Sequence, residues 1–183
     1  MKKIIFIILT AIFLVISNLN AQTSTKTLIV YFSWGGNTKT AANIIKNMMK
    51  ADIFEIKTIK EYPTDINVCG NQARNELINN ILPDLKENIN NISNYDNIII
   101  CYPNWWNTIP QAVKQLLLTH NFSGKKIAPL CTYGDGGIGR SVRDITSLCP
   151  NSIILESLSI QGERVKDSEK IIMEWLKNIK LYY

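Results

Sequence analysis

The sequence is poor in the side chains that bind metals. Its 183 residues include one histidine, His120, and four cysteines that form no C-x-x-C pair. The ligand spacings of zinc and haem sites are therefore missing, and we expect no metal. The 20 lysines and arginines outnumber the 15 acidic residues but never form a run of five or six. Charge patterning thus gives no indication of a nucleic-acid surface, and we expect no such partner.

Long hydrophobic runs are also missing, apart from one near the amino terminus. Lys2 and Lys3 precede residues 4–16, in which only Thr10 is not apolar, and a polar stretch then ends at Ala21. This order is typical of a secretory signal peptide, and the run is shorter than the ~20 residues of a membrane-spanning helix. We therefore expect cleavage after Ala21 and an exported protein, periplasmic or, in a source without an outer membrane, secreted. Contact with a membrane is expected only if this segment stays uncleaved.

Removal of residues 1–21 would leave one domain, 22–183, and lower the net charge from +5 to +3. This length suits a single core. In an exported protein, cysteines can form disulfides. A Cys131–Cys149 bridge is not expected, because the helix between them would carry Cys149 to the opposite edge of the sheet. We expect the cysteines to be buried as small hydrophobic residues.

Short apolar runs alternate with amphipathic segments along this domain. Continuous runs such as 98–102 are typical of parallel strands covered on both faces, and apolar residues three and four apart predict helices between them. Five strands with right-handed crossovers predict a doubly wound α/β domain, a parallel sheet with helices on both faces. The predicted strands are 27–32, 53–56, 98–102, 126–132 and 153–160, and the helical stripes fall at 41–49, 109–117, 138–148 and 171–179, with a weaker helix at 71–82.

Pro129 is the one residue that conflicts with this pattern. It lies within the predicted fourth strand, and proline is normally kept out of central strands because it has no N–H to donate. We keep the strand and expect a bulge or a lost hydrogen bond at this position.

Ligands of open parallel sheets bind at the carboxyl ends of the strands, and three unusual loops follow strands there. The first loop has two glycines at the start of a helix and three polar side chains, which suits an anion such as a phosphate. It matches neither G-x-x-x-x-G-K-[ST] nor G-x-G-x-x-G. Its candidate binding residues are Ser33, Gly35, Gly36, Asn37 and Thr38.

The other two loops suit a planar ring. Two tryptophans in a polar loop favour stacking on an aromatic ligand, and a glycine-rich loop offers backbone N–H groups to its edge. The candidates are Pro103, Asn104, Trp105, Trp106 and Asn107 in one loop, and Thr132, Tyr133, Gly134, Gly136 and Gly137 in the other. Each loop by itself also fits an ordinary turn, but three such turns at one edge favour a ligand site.

Three stretches carry a family resemblance: YFSWGGNTKTAANII, YDNIIICYPNWWNTIPQAV and FSGKKIAPLCTYGDGGIGRSVRDITSLCPNSIILESLSI. They resemble flavodoxin-like FMN proteins, in particular a short-chain bacterial group with a P-x-W-W loop. The resemblance implies the strand order 2-1-3-4-5 and FMN as cofactor. It also implies that the first loop holds the phosphate, that Trp105 or Trp106 stacks on the isoalloxazine, and that residues 132–137 close its other side.

The sequence departs from that family at two positions. Gly35 stands where flavodoxins usually have a hydroxyl residue, which removes one hydrogen bond to the phosphate. Asn107 stands where this family often has glycine, next to the flavin atom N5. Asparagine tolerates positive φ better than most residues but less well than glycine.

Several functions remain open at this stage. The resemblance implies an electron carrier with a redox partner protein. An NAD(P)H-dependent quinone reductase or related flavoenzyme would use the same FMN site. A domain that has kept the fold and lost the flavin is a third reading. The domain is near +3 without residues 1–21, whereas cytosolic flavodoxins are typically acidic, so we expect a different redox partner.

Overall fold

The computed structural model describes residues 25–182, so the predicted signal peptide lies outside the described residues. Within this range, strand segments alternate with α-helices, and none of these helices is long and apolar enough to span a membrane. The strands are β1 (Thr27–Tyr31), β2 (Asp52–Glu55), β3 (Asn97–Pro103), β4 (Lys126–Tyr133), β5 (Ile153–Ile154) and β6 (Leu158–Gln161). The helices are α1 (Asn37–Met49), α2 (Ile66–Ile78), α3 (Gln111–Thr119), α4 (Ser141–Leu148) and α5 (Glu169–Asn178), with 3-10 turns at Ile92–Asn94 and Gly162–Asp167.

The strands form one parallel sheet in the order β2-β1-β3-β4-β5, and β6 continues the fifth strand beside β4. This confirms the predicted doubly wound α/β fold. Helices cover both faces of the sheet. The apolar run Ile98–Tyr102 in β3 is accordingly buried on both sides, as expected for a central parallel strand.

Two hydrophobic cores lie on opposite faces of the sheet. Because side chains alternate along a strand, Ile98 and Ile100 of β3 belong to one core, and Ile99 belongs to the other. The first core is completed by residues of α3 and α4, including Leu116. The second is completed by residues of α1 and α5, including Ile45. The predicted helical stripes thus cover the sheet from both sides.

β4 is continuous through Pro129, but the strand beside it is interrupted at this point. β4 pairs with β5 up to Ile127 and with β6 from Leu130 onward. Between these two pairings β4 advances by three residues, from Ile127 to Leu130, while the strand beside it advances by four, from Ile154 to Leu158. The fifth strand therefore contains one extra residue. The expected bulge is therefore present, but in the strand opposite the proline, which offers no N–H at that point.

α2 differs most from the sequence prediction, since it spans Ile66–Ile78 rather than 71–82. Its start is set by Asp65, whose carboxylate accepts the backbone N–H groups of Asn67 and Val68 at 2.9 and 3.0 Å. An Asp at this position satisfies donors that the first turn leaves unpaired. The prediction missed this start because Ile66 and Val68 are exposed and lie off the buried face of the helix.

All four cysteines are free and buried. Cys101 and Cys131 lie in β3 and β4, and Cys149 follows the last residue of α4. Burial raises the pKa of the Cys131 thiol to about 12 and that of Cys149 to about 11. Since only the thiolate is nucleophilic, these are unreactive structural thiols.

Candidate functional site

Three loops converge at the carboxyl edge of the neighbouring strands β1, β3 and β4. We call them the first loop (33–38), the tryptophan loop (103–108) and the glycine loop (132–139). The backbone N–H of Asn104 donates to the Thr132 carbonyl at 2.7 Å, and the Asn104 side chain donates to the Gly137 carbonyl at 2.7 Å. Adjacent strands thus bring the three predicted segments into one cluster, as the switch-point rule requires.

The first loop presents the start of α1. Gly36 precedes the helix with φ 92°, a left-handed conformation that favours glycine. No side chain caps this end, and Gly35, Gly36 and Asn37 are exposed. The first-turn N–H groups have no acceptor within the helix, so they can donate hydrogen bonds to an anion. Beside them, the Ser33 hydroxyl oxygen is buried and has no hydrogen-bond partner among the described residues.

Thr38 takes a different position from the rest of the first loop. Its side chain is 1% exposed, and its hydroxyl lies 2.7 Å from that of Thr132. This buried hydrogen bond joins the first loop to the glycine loop on the side that faces the protein interior. Thr38 and Thr132, both predicted to bind the ligand, therefore form the floor of the site.

Asn37 is supported by a residue that the sequence analysis missed. A Cβ at Gly162 would collide with the Asn37 amide, and the Tyr133 carbonyl lies 3.6 Å from the same point. Glycine at position 162 therefore leaves room for Asn37 beside the glycine loop. Nothing in the local sequence distinguishes Gly162, because the contact joins positions far apart in the chain.

The tryptophan loop is a two-residue hairpin turn. Trp105 and Thr108 exchange two backbone hydrogen bonds of 3.0 and 3.1 Å, and between them Trp106 and Asn107 have φ values of 52° and 67°. Two consecutive left-handed residues are typical of a type I′ turn. Asn107 thus adopts the positive φ that the sequence analysis considered for it, and its carbonyl accepts the Arg140 N–H at 2.9 Å.

The two tryptophans occupy different environments. The Trp105 ring is half-buried and makes edge contacts with Phe32 and Tyr62, at centroid distances of 5.2 and 4.9 Å. Trp106 is 49% exposed. Its indole N–H donates to the Gly70 carbonyl at 2.9 Å, and the Arg74 guanidinium lies 5.3 Å from its ring centroid. Trp106 is therefore the more exposed of the two rings, with Arg74 over one face, and Trp105 supports the loop from inside.

The glycine loop keeps its backbone accessible. Gly136 and Gly137 have φ values of 82° and 66°, and Gly134 and Gly136 are exposed. Asn104 ties this loop to the tryptophan loop through Gly137, yet its own amide oxygen is buried without a partner among residues 25–182. Pro103 and Tyr133, which end β3 and β4, are half-buried at the base of the two loops.

A second layer behind these loops comes from the chain between β2 and α2 and from α2 itself. The Trp34 indole N–H donates to the Pro63 carbonyl at 2.8 Å, and the Tyr62 hydroxyl donates to the Glu76 carboxylate at 2.7 Å. Burial, with the Glu76 hydrogen bond and charge, holds the pKa of Tyr62 far above its usual value. Sequence reasoning missed this layer, because it depends on contacts between distant segments.

The groups that the three loops offer suit the recognition of a ligand. Apart from the exposed Asp135 carboxylate, they are backbone N–H donors, hydroxyls, amides and aromatic rings, which suit a phosphate and a planar heteroaromatic ring. No cluster of three or more His, Cys, Asp or Glu side chains in the part of the chain described here could hold a metal ion.

Comparisons with known proteins show the family to which this chain belongs. The family model described as flavodoxin matches residues 26–179. A protein from Bacteroides eggerthii assigned as a flavoprotein is 27% identical, with a TM-score of 0.76 over 86% of this chain and 99% of its own. One from Bacteroides uniformis is 26% identical, with a TM-score of 0.70 over 80% of this chain and 98% of its own.

A more distant structure shares the fold. The Lactobacillus acidophilus flavoprotein in complex with FMN is 22% identical, with a TM-score of 0.65 over 80% of this chain and 99% of its own. Among curated proteins, none matches the sequence. Because the family model spans most of the described residues, this chain belongs to the flavodoxin family.

Proposed function

We propose that this protein binds FMN at the three loops and carries electrons outside the cytoplasm, as a member of the short-chain group with a P-x-W-W loop. The observation that carries the proposal is the pair of buried oxygens, Ser33 Oγ and Asn104 Oδ1, that have no partner among residues 25–182. A buried polar atom without a partner costs about 1–3 kcal/mol. A ligand with hydrogen-bonding groups at both places would remove that cost.

The residues at the site fit the two ends of FMN. The first-turn N–H groups of α1 and the Ser33 hydroxyl would hold the phosphate. Trp106 would lie along one face of the isoalloxazine ring, and Asn104 would bond its edge. The exposed Gly134 and Gly136 would let the backbone approach the ring closely.

When bound, FMN supplies the electron-transfer chemistry. The chain orients the flavin and excludes water from part of it, and no acid or base of the protein is required for these tasks. The Lactobacillus acidophilus flavoprotein, which has the same fold, was crystallised with FMN, and this supports the choice of cofactor.

Reduced nicotinamide nucleotides distinguish an electron carrier from a flavin reductase. The purified protein is incubated with FMN, freed of unbound flavin and mixed anaerobically with NADPH or NADH. A carrier keeps its oxidised flavin spectrum and bleaches only with a chemical or photochemical reductant. Rapid bleaching by either nucleotide would instead establish a flavin reductase.

Export remains part of the proposal. The run at residues 4–16, with Lys2 and Lys3 before it, supports a signal peptide. The test is the amino-terminal sequence and mass of the protein recovered from a periplasmic or secreted fraction. We expect it to begin at Gln22. Recovery of the intact chain from the cytoplasm would contradict export, and recovery of the intact chain from membranes would show an uncleaved anchor.

The redox partner is expected to be acidic. Without residues 1–21 the net charge would be +3, and complementary charge accelerates encounter between proteins. Electron transfer to an acidic partner protein should therefore slow as salt increases, whereas transfer that accelerates with salt would indicate a basic partner.

A further inference from the structure

α2 carries a buried carboxylate that the binding site described above does not use directly. Glu76 is 6% exposed. One carboxylate oxygen accepts the Tyr62 hydroxyl at 2.7 Å, and the other accepts the Gln72 amide at 2.8 Å. Both donors are neutral, and none of the ion pairs found between residues 25 and 182 includes Glu76.

A buried carboxylate that has only neutral hydrogen-bond donors lowers the stability of the folded protein. Moving a carboxylate out of water costs several kcal/mol, and hydrogen bonds from neutral groups offset only part of that cost. An uncharged residue of similar shape, glutamine, could occupy the same place. The charge at this position therefore calls for a reason beyond stability.

The carboxylate is connected to the tryptophan loop by packed side chains. The Tyr62 ring that donates to Glu76 lies 4.9 Å from the Trp105 ring and 5.7 Å from Phe32, centroid to centroid. The next residue, Pro63, accepts the Trp34 indole N–H of the first loop at 2.8 Å. The Tyr62–Pro63 segment thus touches two of the three loops, and Glu76 holds its aromatic side chain in place.

A second charge on α2 differs from this one in its exposure. Arg74 lies over Trp106 but is exposed to solvent. Water and salt screen an exposed charge strongly, whereas a charge in the protein interior acts at a lower effective dielectric constant. Of the two, Glu76 has the stronger electrostatic effect inside the domain.

We propose that Glu76 is a positioning residue for the flavin site: through Tyr62 it holds Trp105 in place, and its buried negative charge favours oxidised over reduced FMN. This inference rests on the proposed function. The flavin gains electrons on reduction, so negative charge that is not balanced by proton uptake is repelled by the Glu76 carboxylate, which lies behind the tryptophan loop next to Tyr62. The predicted effect is a weaker affinity for reduced FMN relative to oxidised FMN.

Two variants of the full chain separate the effect of the Glu76 charge from the effect of its hydrogen bond with Tyr62. Glu76→Gln keeps an oxygen for the Tyr62 hydroxyl and removes the charge. Tyr62→Phe keeps the ring and the charge and removes the hydrogen bond. Asp52→Asn is the matched control, because Asp52 accepts the exposed Tyr95 hydroxyl at 2.9 Å in a similar pair on β2.

The measurements are the dissociation constant of oxidised FMN and the midpoint potential of the complex, which together give the ratio of affinities for the two redox states. We expect Glu76→Gln to increase the affinity for reduced FMN about tenfold relative to oxidised FMN, which corresponds to a potential about 30 mV higher for two electrons. Tyr62→Phe should weaken oxidised FMN binding about threefold to tenfold and change the near-UV circular dichroism of the flavin-free protein. Asp52→Asn should change neither quantity.

The outcomes distinguish this inference from the proposed function. If the wild-type chain binds FMN and folded Glu76→Gln keeps the wild-type affinity ratio within twofold, the inference is overturned and the proposed function stands. If Glu76→Gln does not fold, Tyr62→Phe decides, and wild-type FMN affinity with an unchanged dichroism spectrum overturns the inference. If the wild-type chain binds no FMN, both proposals fail.

Discussion

At the scale of single residues, the site depends on polar atoms and glycines that are costly in the protein alone. Ser33 and Asn104 bury oxygens without partners, and Gly139 approaches the backbone of the tryptophan loop closely. The sequence suggested Ser33 and Asn104 because both follow strands at the ligand edge. It did not separate Trp105 from Trp106, because their difference arises from the turn geometry and from contacts with distant Tyr62 and Gly70.

Ser33→Ala should have opposite effects on the flavin-free protein and on flavin binding. Without ligand, the change removes a buried atom that lacks a partner, so the free energy of unfolding should stay the same or rise by up to about 1 kcal/mol. FMN binding should weaken about tenfold, because a hydrogen bond to a charged group is lost. Denaturant unfolding and flavin fluorescence titration measure the two effects.

The control for this prediction is Ser123→Ala, since Ser123 is exposed and lies away from the loops. It should leave both quantities unchanged. A loss of stability in flavin-free Ser33→Ala without any loss of FMN affinity would show that Ser33 has a structural role only.

Gly139→Ala should destabilise the protein by about 3 kcal/mol, because backbone strain and a steric clash add. Gly139 has φ 58°, and an added Cβ would lie 2.5 Å from the Asn107 carbonyl oxygen. The matched control is Gly124→Ala, where φ is 74° but nothing lies within 4 Å of the new Cβ. Backbone strain alone should cost about 1–2 kcal/mol there. Equal losses at both positions in denaturant unfolding would show that the contact with the tryptophan loop is unimportant.

At the scale of elements, the sequence predicted the sheet and most helices because their apolar residues are buried. The run Ile98–Tyr102 and the spacing of Leu116 and Leu117 reflect real burial. α2 was misplaced because its buried face consists of Cys69, Ala73 and Glu76 rather than large apolar residues. This helix nevertheless contacts Trp106 directly and reaches Trp105 through the hydrogen bond between Glu76 and Tyr62, and these contacts could not be read from local periodicity.

Gly70→Ala tests how α2 contacts the tryptophan loop. Gly70 lies inside the helix, and no atom lies within 4 Å of an added Cβ. Alanine should therefore stabilise the protein by about 0.5–1 kcal/mol through helix propensity, with unchanged FMN affinity. Thermal unfolding and flavin titration give the two values. A lower melting temperature together with weaker FMN binding would mean that Trp106 packs more closely on the helix than its bond to the Gly70 carbonyl indicates.

At the scale of the whole molecule, buried cysteine thiols should lower the free energy of unfolding at alkaline pH. Burial raises the pKa of Cys131 from 9.0 to about 12 and that of Cys149 from 9.0 to about 11. The unfolded chain loses these protons first, so it binds fewer protons than the native state at high pH. Their contribution to stability is complete below about pH 9 and is lost as pH rises through the native pKa values.

We therefore expect the free energy of unfolding to fall between about pH 9 and 11 under reducing conditions. Each of these thiols contributes up to about 1.4 kcal/mol per pH unit in that interval. Denaturant unfolding at several pH values measures the slope, and Cys131→Ala should make it shallower. A slope above pH 9 that Cys131→Ala leaves unchanged would contradict burial of the thiol as the cause.

The central claim is that the three loops bind FMN. The most direct test is the visible spectrum of the purified protein after incubation with FMN and removal of free flavin by gel filtration. We predict one flavin per chain with a perturbed spectrum, and clearly less flavin retained by Ser33→Ala than by Ser123→Ala. A wild-type protein that elutes without flavin would contradict the account and leave a flavodoxin fold with another ligand.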